Sequence, residues 1–279
     1  MLLVPADPLN PRRVDPHFAG QAAAARDRGI PVARIDHDAI ADPERAVAGV
    51  PPAEDAVYRG WMMTADEYDG FARALATRGV VLRTSPAAYR AAHELPGWYD
   101  AVRECTPEST WTDGDDVPQV LAAAERLGAG PAVLRDYVKS MKHYWDEAAY
   151  VPEVADREGV ERVARRFREL REDSFSGGYV LRRFEDFAGA EARTWWVGGR
   201  CVVVTPHPDT PAELPEGLDP SALELLLGGV GTSFVAVDVV WRADGVLRVV
   251  EVGDGQVSDW PGTWDPAELV DCLFRDNGW

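Results

Sequence analysis

The chain has 279 residues, of which 46% are hydrophobic and 27% charged, a composition typical of a globular protein with a large core. Its 47 acidic and 29 basic residues give a formal net charge of −18, which argues against a general nucleic-acid or anionic-membrane binder, because phosphate binding needs a basic face. The 3 cysteines are widely spaced and form neither a zinc pattern nor a disulfide framework. Since neither a signal peptide nor a membrane-spanning apolar run is evident, we expect a cytoplasmic protein.

The first 84 residues alternate between strand and helix patterns. MLLVPA and IPVARID predict strands, residues 8–15 predict a loop, and residues 17–28 predict an alanine-rich helix. A further strand over residues 53–57 ends just before Arg59 and Trp61, and Thr64 with Glu67 predicts the capping box of a helix over residues 64–78. This β-α-β rhythm predicts a small parallel sheet. The glycine fingerprint of dinucleotide-binding proteins does not follow its first strand.

Residues 85–180 contain basic residues close to a predicted strand end. The patterns predict helices over residues 85–98, 116–127 and 160–171, an irregular segment over residues 104–113 and a strand at AVLRDYV. Arg135, Lys139 and Lys142 lie on that strand or just beyond it. Such cations either protect a solvent-exposed sheet edge or, where a strand opens into a loop, bind phosphate groups.

Residues 181–279 predict two β-hairpins. YVLRRFEDF predicts a strand, and residues 190–204 predict a hairpin that turns at Gly198 and Gly199. A proline-rich loop with His207 and a short helix over residues 220–227 follow. FVAVDVVW and VLRVVEV predict the second hairpin, because the Asp-Gly pair between them favours a tight turn, and a last helix ends at Phe274.

Three acidic residues lie in or just after the second hairpin: Asp238, Glu251 and Asp254. An acid within an apolar strand is costly to bury unless it is paired or binds a cation. Carboxylates without nearby Cys or His ligands favour a hard cation, Mg²⁺ before Zn²⁺. The alternative is a half-buried hairpin whose acids face water.

The order of these features resembles the ATP-grasp superfamily. Cations near a strand end are followed by YVLRRFEDF, then Glu-x-Arg, then Val-Asp, then Glu-x-x-Asp. The motifs RGWM, KSMKHYW and EVGDGQVS, at residues 59–62, 139–145 and 251–258, resemble a bacterial branch of that superfamily. The resemblance implies an α/β fold with two α+β lobes. It divides the chain into a preceding α/β domain (1–84), a small lobe (85–180) and a C-terminal lobe with the metal site (181–279).

The resemblance also implies a binding site for ATP and Mg²⁺ between the two lobes. Lys139 and Lys142, with Arg135, would contact the phosphates, and Arg193 would face the γ-phosphate, so that Arg193 and Lys142 are the expected catalytic residues. Mg²⁺ would be held by the three acids of the second hairpin. Two positions depart from better-known members, which have lysine in place of Arg135 and asparagine in place of Gly253. The connecting strand would meet the adenine, and Glu185 or Asp186 the ribose; this strand comprises Arg182, Arg183, Phe184, Glu185, Asp186 and Phe187.

The implied activity is that of an ATP-dependent ligase. Such an enzyme activates a carboxylate as an acyl phosphate, which an amine then attacks, so we expect small-molecule carboxylate and amine substrates or a peptide. Arg59 and Trp61 are the predicted substrate contacts, because ligands of open α/β sheets usually bind at strand ends; His93 and His207 are weaker candidates. Two alternatives stay open: a phosphotransferase with the same fold, and a nucleotide-binding protein without catalysis.

Overall fold

The structure is a computed structural model that describes residues 1–274 of the chain. These residues form two compact units. The first unit comprises Met1–Ala92, Ala190–Val239 and the chain from Glu251 onward, and the second comprises His93–Gly189 and Val240–Val250. The division into three segments at residues 84 and 180 stays a prediction. No helix within residues 1–274 is long and apolar enough to cross a membrane.

The N-terminal part of the first unit is an α/β layer built on a mostly parallel sheet. Its strands are β1 (Leu2–Asp7), β2 (Asn10–Val14), β3 (Val32–Ile35), β4 (Ala53–Tyr58) and β5 (Val80–Leu82). Strand β1 pairs in parallel with β3 and β4, and β4 pairs in parallel with β5, which confirms the predicted sheet. Its helices are α1 (Ala19–Asp27), α2 (Pro43–Ala46), α3 (Ala65–Thr77) and α4 (Pro86–His93).

The prediction of a loop over residues 8–15 is wrong for Asn10–Val14, which forms β2 antiparallel to β1. This strand is mostly exposed and lacks the alternation of apolar and polar residues by which strands are recognised. Its hydrogen bonds to β1, which local sequence does not reveal, keep it extended.

The capping box at the start of α3 is confirmed. Thr64 Oγ1 accepts a hydrogen bond from Glu67 N at 3.2 Å, and Glu67 Oε2 accepts one from Thr64 N at 2.7 Å. We expect Thr64→Ala to lower the free energy of unfolding by about 1 kcal/mol, because it leaves a helix N–H without its acceptor. Urea denaturation measures this loss. Thr64→Ser keeps the oxygen and should retain most of the stability, and equal losses in both variants would contradict the role of the cap.

A second sheet has the strand order β11-β10-β12-β13. Its strands are β10 (Phe187–Val197), β11 (Arg200–Pro206), β12 (Phe234–Arg242) and β13 (Leu247–Asp254). Gly198 and Gly199 have φ of 57° and 78°, and Gly245 has φ of 82°, so both predicted hairpin turns use the left-handed conformation that glycine favours. Trp195, Phe234 and Trp260 form the core beside this sheet, with α8 (Glu224–Leu227) and α9 (Pro266–Phe274) in the same part of the chain.

The second unit contains an antiparallel sheet with the order β6-β9-β7-β8. Its strands are β6 (Ser109–Trp111), β7 (Ala132–Asp136), β8 (Tyr150–Val151) and β9 (Tyr179–Arg183). Its helices are α5 (Leu95–Val102), α6 (Val117–Leu127) and α7 (Arg157–Arg171). Phe167 and Tyr179 are buried in its core.

Two predictions for this region are wrong in part. The single helix over residues 85–98 is two helices, α4 and α5, and Pro96 lies in the first turn of α5, where its missing N–H costs nothing. The segment over residues 104–113 is not wholly irregular, because Ser109–Trp111 pairs with β9.

Candidate functional site

A buried ion pair joins two neighbouring strands of the first unit. Arg193 on β10 donates from Nε to Asp238 Oδ1 at 2.8 Å and from Nη2 to Asp238 Oδ2 at 2.9 Å, with Asp238 on β12. Their side chains are only 13% and 7% exposed. Strands β10 and β12 are adjacent, so side chains on one face come opposite each other. The result is a two-pronged charge pair of fixed orientation.

Glu191 and His207 complete a cluster around Asp238. Glu191 lies two positions before Arg193 and therefore on the same face of β10, and its carbonyl accepts from His207 N at 3.1 Å. His207 Nε2 lies 3.5 Å from Asp238 Oδ2 and 4.0 Å from Glu191 Oε2. Its Nδ1 accepts from Asp209 N at 3.1 Å. In the part of the chain that the structure describes, Glu191, His207 and Asp238 have ligand atoms within 4.8 Å of one another, a set that could hold a metal ion.

The charges of this cluster keep Asp238 ionised. Burial opposes the carboxylate form, but the charge of Arg193 and hydrogen bonds from His207 and Arg193 outweigh it and lower the pKa of Asp238 to about 2. For Arg193, burial favours the neutral form, but Asp238 and, more weakly, Glu251 raise its pKa above the usual value. Asp238 is therefore a carboxylate and Arg193 a cation at neutral pH.

Glu251 and Asp254 lie on β13 but face opposite sides of it. Three positions separate them, and side chains alternate between the two faces of a strand. Glu251 adds its charge to the surroundings of Arg193. Asp254 is fully buried, and its Oδ1 accepts from Gln256 N at 2.9 Å and Gln256 Nε2 at 3.0 Å. Among residues 1–274, Asp254 joins no metal-ligating cluster with Asp238, so the three predicted carboxylates do not converge.

The two predicted substrate residues have different surroundings. Arg59 is 1% exposed, donates from Nε to Gln21 Oε1 at 2.9 Å and from Nη1 to the carbonyls of Gly255 and Ser258, and so has no surface open to a substrate. Trp61 is 41% exposed, with its ring centroid 4.8 Å from that of His17. Its substrate-binding role stays a prediction, whereas the guanidinium of Arg59 is occupied by backbone.

The basic residues of the second unit divide into one buried and two exposed side chains. Arg135 is 6% exposed and donates from Nη2 to the Val138 carbonyl at 2.6 Å, so it braces the turn after β7. Asp136 holds the same turn by accepting from Val138 N at 2.8 Å and Lys139 N at 2.6 Å. Lys139 and Lys142 are exposed. Their phosphate-binding roles stay a prediction, and the exposed pair is better placed for them than Arg135.

Most side chains of the predicted adenine strand contact protein groups. Glu185 accepts from Arg248 Nε and Nη2 at 2.7 and 2.6 Å, so both of its oxygens are occupied, while Asp186 is exposed. Of the two predicted ribose contacts, Asp186 has the freer carboxylate. The arginines bind carbonyls: Arg182 those of Val249 and Val250, and Arg183 those of Leu127 and Ala129. Phe184 is 38% exposed, beside Trp145 and Tyr150, and Phe187 begins β10.

Residues 126–273, more than half of the chain, match the model of an ATP-grasp domain, the third family of its clade. The chain belongs to this ATP-grasp family. No protein of curated function matches its sequence.

Solved ATP-grasp structures share the fold over nearly the whole chain. An ATP-grasp RimK domain protein from Sphaerobacter thermophilus DSM 20745 is 19% identical, with a TM-score of 0.64 over 98% of both chains. D-cycloserine synthetase DcsG is 18% identical, with a TM-score of 0.62 over 98% of this chain and 99% of its own. ATP-grasp ligase PsnB, complexed with minimal precursor, Mg and ADP, is 13% identical, with a TM-score of 0.59 over 98% of this chain and 96% of its own. These likenesses confirm the predicted α/β ATP-grasp fold.

Sequence reasoning missed several neighbours of this ATP-grasp site. Glu191 is the first residue of the Glu-x-Arg motif, and the spacing of two places it beside Arg193 on one strand face. His207 was a weak substrate candidate, but its place after the second strand of a hairpin puts it opposite Glu191. Arg248, which occupies Glu185, gave no local signal, because the two lie 63 positions apart.

Proposed function

We propose that this ATP-grasp protein is an ATP-dependent ligase that activates a carboxylate as an acyl phosphate and joins it to an amine. The Arg193–Asp238 pair supports the proposal most directly. It presents a permanent cation and an ionised carboxylate side by side at 2.8 Å, within an ATP-grasp domain. Phosphoryl transfer needs both kinds of group, to hold the metal ion and to offset phosphate charge.

Asp238 and Glu251 are the proposed ligands of Mg²⁺. Asp238 fits this role because its pKa of about 2 leaves the carboxylate ionised and Arg193 takes only one hydrogen bond from each of its oxygens. Each oxygen therefore keeps acceptor capacity, and oxygen ligands are those that Mg²⁺ prefers. The ion would neutralise charge on the phosphate oxygens. Asp254, which faces the other side of β13, is not included.

The proposed reaction has two steps. An oxygen of the substrate carboxylate attacks the γ-phosphorus of ATP, the bond to the β-phosphate oxygen breaks, and ADP leaves. The amine nitrogen then attacks the acyl carbon, phosphate leaves with the bonding electrons, and the nitrogen loses a proton. Arg193 and Lys142 would offset the charge of the transferring group and hold it in line, so the protein contributes position and charge and needs no covalent nucleophile.

The lysine distribution supports a specific role for the exposed pair. Lys139 and Lys142 are the only lysines in the sequence, and all other members of its 29 basic residues are arginines. A solvent-exposed edge needs only positive charge, which arginine supplies everywhere else in this chain. Lysine differs from arginine in its compact ammonium with three donors, a group that suits phosphate oxygens.

The similar proteins indicate the substrate class. DcsG is named a D-cycloserine synthetase, and PsnB is a ligase complexed with a precursor, Mg and ADP. We therefore propose ATP and Mg²⁺ as cofactors and a small molecule or a peptide as the source of carboxylate and amine.

ATP consumption with Mg²⁺ and a mixture of amino acids tests the proposal. Release of ADP and phosphate that depends on both an acid and an amine is the expected result. Hydroxylamine should trap the acyl phosphate as a hydroxamate. ADP release with a stable phosphorylated product and no hydroxamate would indicate a phosphotransferase, and nucleotide binding without turnover would indicate a protein without catalysis.

We expect Lys139→Ala to weaken nucleotide binding about tenfold, a loss of about 1.4 kcal/mol. The physical reason is the removal of an ammonium that would contact phosphate oxygens. The measurement is the rise in melting temperature on adding Mg²⁺ and AMPPNP, which should shrink in the variant. Arg13→Ala removes an exposed cation from β2 and is the matched control, and the same rise in both variants would remove Lys139 from the site.

A further inference from the structure

Residues 254–259 connect two parts of the proposed site within the first unit. They follow the strand that carries Glu251, and they end at Asp259, whose carbonyl accepts from Arg193 Nη1 at 3.1 Å. The position of this segment therefore bears on a proposed metal ligand at one end and on the proposed catalytic arginine at the other.

Gln256 holds the middle of this segment and is 0% exposed. Its Nε2 donates to Tyr68 Oη at 3.0 Å, its Oε1 accepts from Tyr58 N at 3.3 Å, and its carbonyl accepts from Gly60 N at 3.1 Å. It also donates from N and Nε2 to Asp254 Oδ1. Its side chain and backbone thus join the segment to β4 and α3.

Arg59 holds the same segment from the other side of the interior. Its Nη1 donates to the carbonyls of Gly255 and Ser258, the latter at 3.0 Å, and its guanidinium lies 5.7 Å from the ring centroid of Trp195. At Gly255 a side chain would lie 2.6 Å from the Phe234 ring, so the backbone fits against that ring only as glycine.

Two buried atoms of opposite charge type, Arg59 Nη2 and Asp254 Oδ2, have no hydrogen-bond partner. Unsatisfied buried polar atoms destabilise a fold, and apolar residues would fill the same space at lower cost. Residues that keep such atoms have a function more often than a purely structural role.

We propose that Arg59, Asp254 and Gln256 form a buried clamp of positioning residues that fixes residues 254–259, and through them Glu251 and Arg193, without touching substrate or metal ion. The inference rests on the proposed function and assigns to Arg59 and Asp254 roles other than substrate contact and Mg²⁺ ligand. Burial raises the pKa of Asp254 to about 7, which agrees with an acid that acts here largely as a neutral hydrogen-bonding group.

The test measures the Mg²⁺ concentration that half-saturates AMPPNP binding, by calorimetry on the full chain. Glu251→Gln should raise this concentration at least about tenfold, because a charged ligand is lost. Asp254→Asn should leave it within about threefold of wild type, since the amide oxygen still accepts both bonds from Gln256. Gln256→Ala should raise it about tenfold although both proposed ligands are present, and Arg59→Lys should change it in the same direction.

Thr64→Ala is the control for stability, because it weakens the same unit at an exposed helix end. A fall in melting temperature like that of Thr64→Ala, with unchanged Mg²⁺ dependence in Gln256→Ala, would show a merely structural role and overturn the inference. An increase for Asp254→Asn as large as that for Glu251→Gln would make Asp254 a ligand and also overturn it. Wild-type protein without any Mg²⁺-dependent AMPPNP binding would overturn the proposed function, and the clamp with it.

Discussion

We expect Glu251→Gln to lower Mg²⁺-dependent ATP turnover at least about a hundredfold at saturating nucleotide. The substitution keeps the size of the side chain and removes one negative charge from the proposed metal site. It leaves the Arg193–Asp238 pair intact, so the melting temperature should change little. Steady-state ADP release as a function of Mg²⁺ concentration measures the effect.

Asp238→Asn should lower turnover by a similar factor and should also destabilise the protein. It leaves the buried Arg193 without its anionic partner, and removing one member of a buried ion pair costs about 3–5 kcal/mol. The two variants therefore separate metal binding from stability, since both lose turnover and only one loses much of its stability.

Asp244→Asn is the matched control for both substitutions. Asp244 lies at the tip of the same hairpin, where its side chain is 55% exposed and pairs with Arg242. It should keep near-normal turnover, because exposed pairs contribute little. Near-normal ATP consumption in both Glu251→Gln and Asp238→Asn would show that the metal assignment is wrong.

Local sequence patterns predicted the framework of this site well. The Gly198-Gly199 and Asp244-Gly245 turns follow from short-range stereochemistry, and they place β10 to β13 in the chain. The acid in each strand of the second hairpin was a correct signal of an unusual interior. Such features depend on neighbours in the sequence, so they can be read without the fold.

The direction of Asp254 was also available from the sequence and was missed. Glu251 and Asp254 are separated by an odd number of positions in one strand, and a strand directs such residues to opposite faces. Counting this parity would have paired Glu251 with Gly253, which has no side chain, and would have left Asp254 on the face toward Gln256.

Burial of Arg59 could not be predicted, because its acceptors are distant along the chain. Gly255 and Ser258 lie 196 and 199 positions away from it, and their carbonyls carry no residue-specific signal. A strand-end arginine before glycine is compatible with either a ligand contact or a buried brace. Only the packing of β4 against the segment after β13 selects the second.

The unusual acid Asp254 should make the stability of the wild-type protein fall as the pH rises. Burial raises its pKa from 3.8 to about 7, against the smaller opposing effects of its hydrogen bonds with Gln256 and the charge of Arg59. Between these two values the folded protein keeps a proton that the unfolded chain has lost, so the free energy of unfolding decreases through this window and is level above it.

The other groups that face Asp254 do not titrate in this window. Burial lowers the pKa of Arg59 only to about 10, so it stays charged. Burial raises the pKa values of Tyr68 and Tyr89 above the usual value of 10.0, so both phenols stay neutral. Asp254 is therefore the group of this cluster that changes charge between pH 4 and pH 7.

Asp254→Asn should remove this pH dependence, because the amide cannot ionise. The variant should be about as stable as wild type near pH 4 and more stable above pH 7, by on the order of 3 kcal/mol from the size of the pKa shift. Urea denaturation of both proteins at pH 4.5, 6 and 8 measures the difference, with buffers of equal ionic strength. Parallel stability curves for the two proteins would show that Asp254 ionises normally in the fold, and a growing gap with rising pH would show that its burial sets the charge of this part of the interior.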